Sequence, residues 1–458
     1  MFLALVLLVA GAVSFLGWRQ SIPAPRVTGT PPRLIGHKAT ATFVVEAAGG
    51  RLARAEVRVL QGGKSVVVAR PEGALGRRAE VPATIEAAAA GLKEGGAAIE
   101  VWARDDVWRP LRLEDRALAS YPVTIDLTPP RLDVVSATSY IAPGGAGLVV
   151  FRAGDAVRAG VRVGELAFPS FPVGTGEVPM RLAFFALPYD YAAGTPIAVT
   201  AEDEAGNVAS RGVPSELLPR KFRHDRIEIK DAFLEAKVPE LLPQRPPSQP
   251  LIEAFLVINR DLRRQAEEQK RRIGATTADK PMWAGTFEQP RNTKVFSNFA
   301  EVRTYVYQGR EIDTQVHYGF DLASTKRSPV PAANAGRVAF TGPLTIYGNV
   351  VILDHGLGLM TLYAHLSTIA VKVGEAVTKG QELGRTGTTG LAVGDHLHYE
   401  VLVSGVSVTP VEWWDTKWIG DRISLPLKAA GLPEIAGAEA REPSTRPAAT
   451  PPRRRRAR

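Results

Sequence analysis

The spacing of the histidines restricts the fold more than any other feature of the chain. Five of the seven histidines lie between His317 and His398. Within this stretch, His317 and Asp321 stand four residues apart, and His396 and His398 stand two residues apart. In a β-strand, residues i and i+2 face the same side, so His396 and His398 would project together while Leu397 packs behind them. The spacing therefore predicts a polar site that strands and loops assemble.

The residue types of this cluster are those of a metal site. The chain has no cysteine, which excludes disulfides, thiolate nucleophiles and cysteine-ligated zinc or iron–sulfur centres. Histidine and carboxylate suit zinc, and hydrolytic zinc sites keep three protein ligands and leave a fourth position for water. The sequence contains no His-Glu-x-x-His, so the helical site of that class of zinc protease is excluded.

Several motifs resemble those of the lysostaphin-type, or LytM-type, zinc metalloendopeptidases, which cut peptidoglycan cross-links. In the family's order they are Trp283-Ala284-Gly285-Thr286-Phe287, Val295-Phe296-Ser297, His317-x-x-x-Asp321, Tyr363-Ala364-His365-Leu366, His396-Leu397-His398, Thr409-Pro410 and Trp413. The resemblance covers residues 283–416. It implies an antiparallel β catalytic domain of the duplicated-hybrid-motif type, which we place at residues 283–425.

The same resemblance implies roles for five residues. It makes His317, Asp321 and His398 the ligands of Zn²⁺, and it makes His365 and His396 the metal-free catalytic pair. Zinc would bring the pKa of its water toward about 7, and one imidazole would take the proton while the other stabilises the oxyanion. We expect His396 to be the base and His365 the oxyanion partner, but the sequence allows the reverse. We interpret His355, which precedes a Gly-rich turn, as structural.

The N-terminal residues form an uncharged apolar run. No charged side chain occurs between Met1 and Trp18, and a helix of that length spans roughly 27 Å. A cleaved signal peptide would have a basic start, so we predict an uncleaved transmembrane anchor at residues 1–20. Because peptidoglycan lies outside the cytoplasmic membrane, we expect a single-pass protein whose bulk faces the periplasm or cell wall.

A repeat with a period of 98 residues follows the anchor. Residues 30–34 recur at 128–132, and residues 99–105 align with 197–203. Short alternating runs between Gly-rich turns indicate half-buried strands. The segment 199–207 resembles the late strand and turn of bacterial immunoglobulin-like domains. We therefore predict tandem immunoglobulin-like β-sandwiches at residues 28–126 and 127–216, acting as a scaffold or as a wall-binding stalk.

The remaining segments are a connector and a tail. Residues 217–282 are predicted to be a helical connector, because Leu251, Phe255 and Ile258 recur at helical spacing and Gly274 provides a stop. We expect this helix to pack on its neighbour domain rather than to cover an active site. Residues 436–458 are predicted to be a disordered Arg-rich tail. Five of the last six residues are arginine, so the net charge of +9 is weak evidence for nucleic-acid binding, and none is expected.

Taken together, the sequence predicts a mainly β, membrane-anchored zinc endopeptidase that hydrolyses peptide cross-links or stem peptides of peptidoglycan. Its expected partners are peptidoglycan and the membrane, the latter through the N-terminal helix, and other cell-wall enzymes are candidate partners. Two alternatives stay open. One is a non-catalytic family member that activates another cell-wall hydrolase, and the other is an adhesive surface protein. The sequence does not identify the bond that is cut.

Overall fold

The computed structural model describes residues 2–111, 116–174 and 180–435, and β-strands form most of its regular structure. Two compact units are present. The first contains the described residues up to Arg131, with Gly154–Arg158 and Ala201–Ala209. The second contains Leu132–Ala153, Ala159–Thr200 and the described residues from Ser210 onward. The predicted disordered tail at 436–458 lies outside the described residues.

The N-terminal run forms helix α1 (Phe2–Ser21), but the predicted transmembrane anchor is wrong. Among the described residues, no helix combines the length and the hydropathy that crossing a membrane requires. Helix α1 takes Arg19, Gln20 and Ser21 into its last turn, so its apolar part is only about 26 Å long at 1.5 Å per residue. The hydrocarbon core of a bilayer is about 30 Å thick. The single-pass membrane localisation and the membrane partner, both inferred from this helix, are corrected with it.

The described part of the first unit contains two sheets. Their strands are β1 (Arg26–Gly29), β2 (Leu34–Ile35), β3 (Lys38–Glu46), β4 (Leu52–Gln61), β5 (Lys64–Ala69), β6 (Arg78–Glu86), β7 (Gly95–Asp105) and β8 (Ala117–Ile125). One sheet has the order β1-β3-β6 and the other the order β2-β8-β7-β4-β5. Alternate residues of β6 are buried, as apolar and polar residues alternate along it. Phe43 and Val81 of one sheet share a core with Val57 and Ile99 of the other.

The next ten strands span residues 132–217, which correspond to the second predicted immunoglobulin-like domain. They are β9 (Leu132–Ala137), β10 (Tyr140–Ile141), β11 (Ala146–Ala153), β12 (Arg158–Val163), β13 (Leu166–Pro169), β14 (Phe171–Val173), β15 (Met180–Ala186), β16 (Ile197–Glu202), β17 (Val208–Gly212) and β18 (Glu216–Leu217). Their sheets have the orders β14-β15-β11-β9, β13-β12-β16-β17 and β10-β18.

Tandem immunoglobulin-like sandwiches, the other part of the predicted fold class, are not shown. Residues 127–216 are divided between the two units instead of forming a separate body. The reason is the packing of the sheet β14-β15-β11-β9 on the C-terminal region: the rings of Phe184 and Trp413 lie 5.9 Å apart, and the Thr138 hydroxyl donates to the Arg422 carbonyl at 2.8 Å. The domain boundaries proposed from the sequence stay predictions.

Helices of the second unit precede and follow its largest sheet. They are α2 (Asp231–Leu241), α3 (Leu251–Val257), a π-helical turn (Ile258–Leu262), α4 (Arg263–Gly274), a 3₁₀ turn (Thr345–Tyr347), α5 (Pro410–Trp414), α6 (Thr416–Ile419), a second π-helical turn (Gly420–Ser424) and α7 (Leu425–Ala429). The helix predicted from Leu251 is confirmed, and it continues through the π-helical turn to Gly274. Its apolar side carries Phe255, Ile258 and Ala266, and these residues belong to a buried hydrophobic core.

The sheet that carries the histidine motifs lies at the centre of this unit. Its region contains β19 (His224–Glu228), β20 (Lys294–Ser297), β21 (Glu301–Tyr307), β22 (Arg310–His317), β23 (Phe320–Ala323), β24 (Pro329–Pro331), β25 (Gly336–Pro343), β26 (Asn349–Gly356), β27 (Leu359–Ala364), β28 (Thr368–Ile369), β29 (Ala376–Val377), β30 (Glu382–Arg385), β31 (Leu397–Val403) and β32 (Val406–Val408). Within residues 180–435, eight strands form one sheet in the order β20-β23-β31-β27-β26-β25-β29, with β32 paired to β31. Strands β19-β21-β22 and β24-β30-β28 form smaller sheets.

Candidate active site

Neighbouring strands bring the predicted polar residues together. Asp321 of β23 is paired with His398 of β31 in the sheet register. On the other side of β31, His398 is paired with Ala364, the last residue of β27, so that His365 follows directly. His317 is the last residue of β22. Because adjacent strands lie about 4.8 Å apart, side chains from these positions can reach one another.

Three ligand atoms converge at one point. The Nε2 atom of His317 lies 3.0 Å from Oδ1 of Asp321 and 2.9 Å from Nδ1 of His398. That Nδ1 atom lies 3.0 Å from the same Asp321 oxygen. All three side chains are buried, and they form a cluster with the geometry of a metal site.

The outer nitrogens of the two imidazoles determine which atoms face the cluster. Nδ1 of His317 lies 2.9 Å from the carbonyl oxygen of Asn298, and Nε2 of His398 lies 2.9 Å from Oε1 of Glu400. Since both oxygens are acceptors, each outer nitrogen carries the ring proton. The inner nitrogens therefore present lone pairs to each other and to Asp321. Three electron-pair donors at this separation repel one another unless a cation lies between them, so the residues fit a bound metal ion.

Arg303 fixes the carboxylate of this cluster. Its guanidinium donates to Oδ2 of Asp321 at 3.0 Å, which leaves Oδ1 for the cluster. Burial raises the pKa of Asp321, but the facing histidines more than offset this and hold it well below its usual value. Burial lowers the pKa of His317 to about 4. At neutral pH the cluster thus contains a carboxylate and an uncharged His317, the form in which a histidine binds a metal. For His398, burial lowers the pKa, but the carboxylates of Asp321 and Glu400 more than offset this and raise it.

The second histidine pair lies beside the cluster. Nδ1 of His365 lies 2.8 Å from the carbonyl oxygen of Thr389, and Nδ1 of His396 lies 2.7 Å from that of Gly394. Each ring therefore directs Nε2 toward the site. The two rings are 4.8 Å apart, and Nε2 of His396 lies 3.4 Å from Oδ1 of Asp321.

His365 occupies a restricted environment. Its φ of +61° places it in the left-handed region, which few residues other than glycine adopt, and such strain is common at functional positions. Burial lowers the pKa of its imidazole well below the usual 6.5. His365 is therefore uncharged at neutral pH, with a lone pair on Nε2.

Both histidine pairs line one cleft of about 670 Å³. The cleft is also lined by Phe296, whose ring contacts that of His396 at 5.4 Å. Its wall extends beyond the histidine motifs to Asp225 of β19 and to Phe233 of α2. The cleft is large enough to hold a short peptide segment against the five polar side chains.

His355 does not join this group. It is fully buried, with Nδ1 2.7 Å from the carbonyl oxygen of Ala335 and Nε2 2.8 Å from the hydroxyl of Thr361. The ring of Phe287 packs against it edge-on at 4.9 Å. Burial lowers the pKa of His355 to about 4. These contacts agree with its interpretation as a structural residue.

The sequence motifs did not identify the residues that hold the five polar side chains of the site in place. Arg303 and Lys270 come from elements with no motif of their own. Glu400 did carry a signal, because it continues the i, i+2 spacing of His396, which directly precedes β31, and His398, which lies on it. Extending the i, i+2 argument by one more step would have found it.

Part of the chain is similar to known peptidases. The sequence description of peptidase family M23 matches residues 315–410, which include all five polar residues. The peptidoglycan DD-endopeptidase ShyA of Vibrio cholerae is 38% identical over 119 residues, covering 26% of this chain and 27% of that protein. The DD-carboxypeptidase/endopeptidase Mpg of Neisseria meningitidis is 41% identical over 97 residues, covering 21% and 22%.

Among solved structures, the catalytic domain of the antimicrobial peptidase lysostaphin from Staphylococcus simulans is similar at 29% identity and a TM-score of 0.23. The match covers 27% of this chain and 92% of that domain. The chain spans about a quarter of the length of the two curated relatives that it matches.

Proposed function

Because the chain contains a peptidase family M23 domain, we propose that it is a zinc-dependent endopeptidase that hydrolyses peptide cross-links or stem peptides of peptidoglycan. One observation carries the proposal: the lone pairs of His317 and His398 and one oxygen of Asp321 converge beside two further imidazoles in a peptide-sized cleft. The names of the two curated relatives support a DD-peptide bond as the substrate class.

His317, Asp321 and His398 would hold the metal. When bound, Zn²⁺ polarises a carbonyl oxygen and acidifies a water molecule. The protein supports this by holding the three ligands through Asn298, Arg303 and Glu400. The ligand geometry is therefore set before the metal arrives, which is the usual purpose of such outer contacts.

For the second pair we propose roles that reverse the order expected from the sequence. His365 is buried and uncharged with a lone pair on Nε2, so we propose that it takes the proton of the attacking water. Nδ1 of His396 donates to the Gly394 carbonyl, and the Asp321 carboxylate, 3.4 Å from Nε2, favours a second ring proton on that nitrogen. We propose that His396 donates a hydrogen bond to the developing oxyanion.

Digestion of purified sacculi by the full chain tests the proposal. We expect release of split cross-links, seen by mass spectrometry, that a chelator abolishes and added Zn²⁺ restores. His317→Ala should abolish release, whereas His37→Ala, which removes an exposed imidazole from the first unit, should leave it unchanged. If the zinc-loaded wild-type chain releases no peptide, the proposal is wrong, and the alternative of a non-catalytic regulator is favoured.

A further inference from the structure

A buried ion pair lies directly behind the metal ligand His398. Oε1 of Glu400 accepts from Nε2 of His398 at 2.9 Å, and Oε2 of Glu400 lies 2.8 Å from Nζ of Lys270. The side chains of Glu400 and Lys270 are both fully buried. Ser407 donates a further hydrogen bond to Oε2 of Glu400 at 2.7 Å. Oε2 of this carboxylate is therefore held from behind while Oε1 contacts the imidazole in front.

Lys270 is itself fixed by several contacts. Its ammonium lies 2.8 Å from Oε2 of Glu267 and donates to the Tyr347 hydroxyl at 3.0 Å. That hydroxyl donates in turn to Glu267 at 2.8 Å, and the Tyr347 ring packs against His398 at 5.2 Å. A buried ammonium with this many partners is held in one geometry.

The helix that supplies Lys270 approaches the sheet as closely as a backbone can. A Cβ atom on Gly274, at the end of α4, would lie 2.3 Å from the backbone nitrogen of Gly405 in the turn after β31. The contact places Lys270 one helical turn away, over Glu400. Residue 270 lies outside the segment 315–410 that matches the peptidase family, so α4 adds a group that this segment does not contain.

We propose that Lys270 is a positioning residue for the metal ligand His398. Its ammonium holds the Glu400 carboxylate in the orientation that accepts the Nε2 proton of His398, which keeps Nδ1 bare and directed at His317 and Asp321. Lys270 touches neither metal nor substrate and acts only through Glu400. The inference rests on the proposed function for the identity of the metal ligands, and it extends the metal site to helix α4.

Zinc affinity of the full chain, measured by competition with a chelator of known affinity, tests this inference. We expect Lys270→Met to weaken Zn²⁺ binding about tenfold, the lower end of what loss of an outer partner of a metal ligand costs. Lys237→Met is the matched control. Lys237 is also a buried lysine on a helix, paired with Glu240 at 2.9 Å and with the Thr388 carbonyl, and its removal should leave Zn²⁺ affinity unchanged.

Coupling to Glu400 separates a positioning role from a general structural one. If Lys270 acts through Glu400, Glu400→Gln combined with Lys270→Met should bind Zn²⁺ no more weakly than Glu400→Gln alone. This comparison remains informative if Lys270→Met by itself fails to fold, since the double variant removes both charges of the fully buried pair together. Additive losses in the double variant would overturn the proposal.

The tautomer of His398 gives a readout that needs neither metal nor substrate. At a pH high enough for the His398 ring to be uncharged, nitrogen NMR of the metal-free chain should show the proton on Nε2 in the wild type and a mixture of tautomers in Lys270→Met. Unchanged tautomer and unchanged Zn²⁺ affinity in that variant would contradict the inference. Failure of the zinc-loaded wild type to cleave peptidoglycan would instead contradict the proposed function and leave this inference standing.

Discussion

At the scale of single residues, the two histidine pairs differ in which ring nitrogen their hydrogen bonds leave free. His317 and His398 turn lone pairs toward Asp321, whereas His365 and His396 are held at Nδ1 by carbonyl oxygens and keep Nε2 for a reactant. Histidine thus serves two purposes in this site because the hydrogen-bond partners of the two pairs differ. This difference leads to a prediction in which metal content and rate respond separately.

His365→Gln should keep its metal and lose its rate. The side chain lies outside the convergent trio, so Zn²⁺ content after dialysis should match the wild type, while peptide release should slow by about 10² to 10⁴, the usual contribution of a general base. His398→Gln should lose both metal and rate. The zinc content of the two variants and their rates on sacculi provide the check. Loss of zinc from His365→Gln would show that its role has been misassigned.

His355 should make the stability of the chain depend on pH. Its pKa is about 4 in the folded state, because burial disfavours the charged ring, against about 6.5 when unfolded. Its contribution to the free energy of unfolding is therefore fully present above pH 6.5 and declines as the pH falls toward 4, where the unfolded chain takes up the proton first. At pH 4.5 the decline should be about 2–3 kcal/mol.

Urea unfolding of the metal-free wild type and of His355→Gln, at pH 7 and pH 4.5, measures this contribution. Other groups such as His317 titrate in both proteins, so the difference between the two pH dependences isolates His355. The variant should lose about 2–3 kcal/mol less stability on acidification than the wild type. Equal losses would mean that the His355 ring is already charged, or already exposed, in the folded protein.

At the scale of elements, the sequence predicted what depends on local spacing and missed what depends on contacts between distant segments. The period of two in a strand was enough to predict that His396 and His398 face one way, and both do reach Asp321. Nothing in the sequence links Arg303 to Asp321 or Lys270 to Glu400, because these residues come together only in the folded structure. The prediction of a transmembrane helix was also wrong for a physical reason. A segment without charged residues is not necessarily long enough to cross a bilayer.

Helix α4 and the turn after β31 should tolerate no added atom between them. Gly274→Ala would place Cβ 2.3 Å from a backbone nitrogen, and neither backbone can yield without displacing the helix. We expect a loss of about 1–3 kcal/mol in the free energy of unfolding, the usual cost of overpacking, measured by urea denaturation.

Gly420→Ala is the matched control for this change. Gly420 also has helical backbone angles, but a Cβ atom there would meet no neighbour within 4 Å. Alanine is favoured over glycine in a helix by about 0.5–1 kcal/mol, so this variant should be as stable as the wild type or slightly more so. If both variants change stability equally, the close approach of α4 to the sheet is not the cause.

At the scale of the whole molecule, the connector helices and the histidine-bearing sheet of the second unit share a hydrophobic core. Leu234, Val238, Phe255 and Ile258 from the helices belong to the same buried cluster as Leu362 and other residues of the sheet. A polar contact also joins the helices to the sheet, since Lys270 of α4 donates to Glu400 of β31. The catalytic unit should therefore begin well before the segment 315–410 that matches the peptidase family.

A comparison of two truncated chains tests where that unit begins. A chain of residues 276–435 removes seven buried residues of this core, including the four helix residues named above, each of which is worth about 1.5–3 kcal/mol when buried. Their sum is comparable to the entire free energy of unfolding of a domain, about 5–15 kcal/mol. We expect this chain to lack a cooperative thermal transition. A chain of residues 127–435 keeps the shared core and Lys270, so it should unfold cooperatively and bind Zn²⁺ as the full chain does. If the shorter chain melted cooperatively at the same temperature as the longer one, the connector helices would be a separate layer whose packing adds nothing to the stability of the sheet.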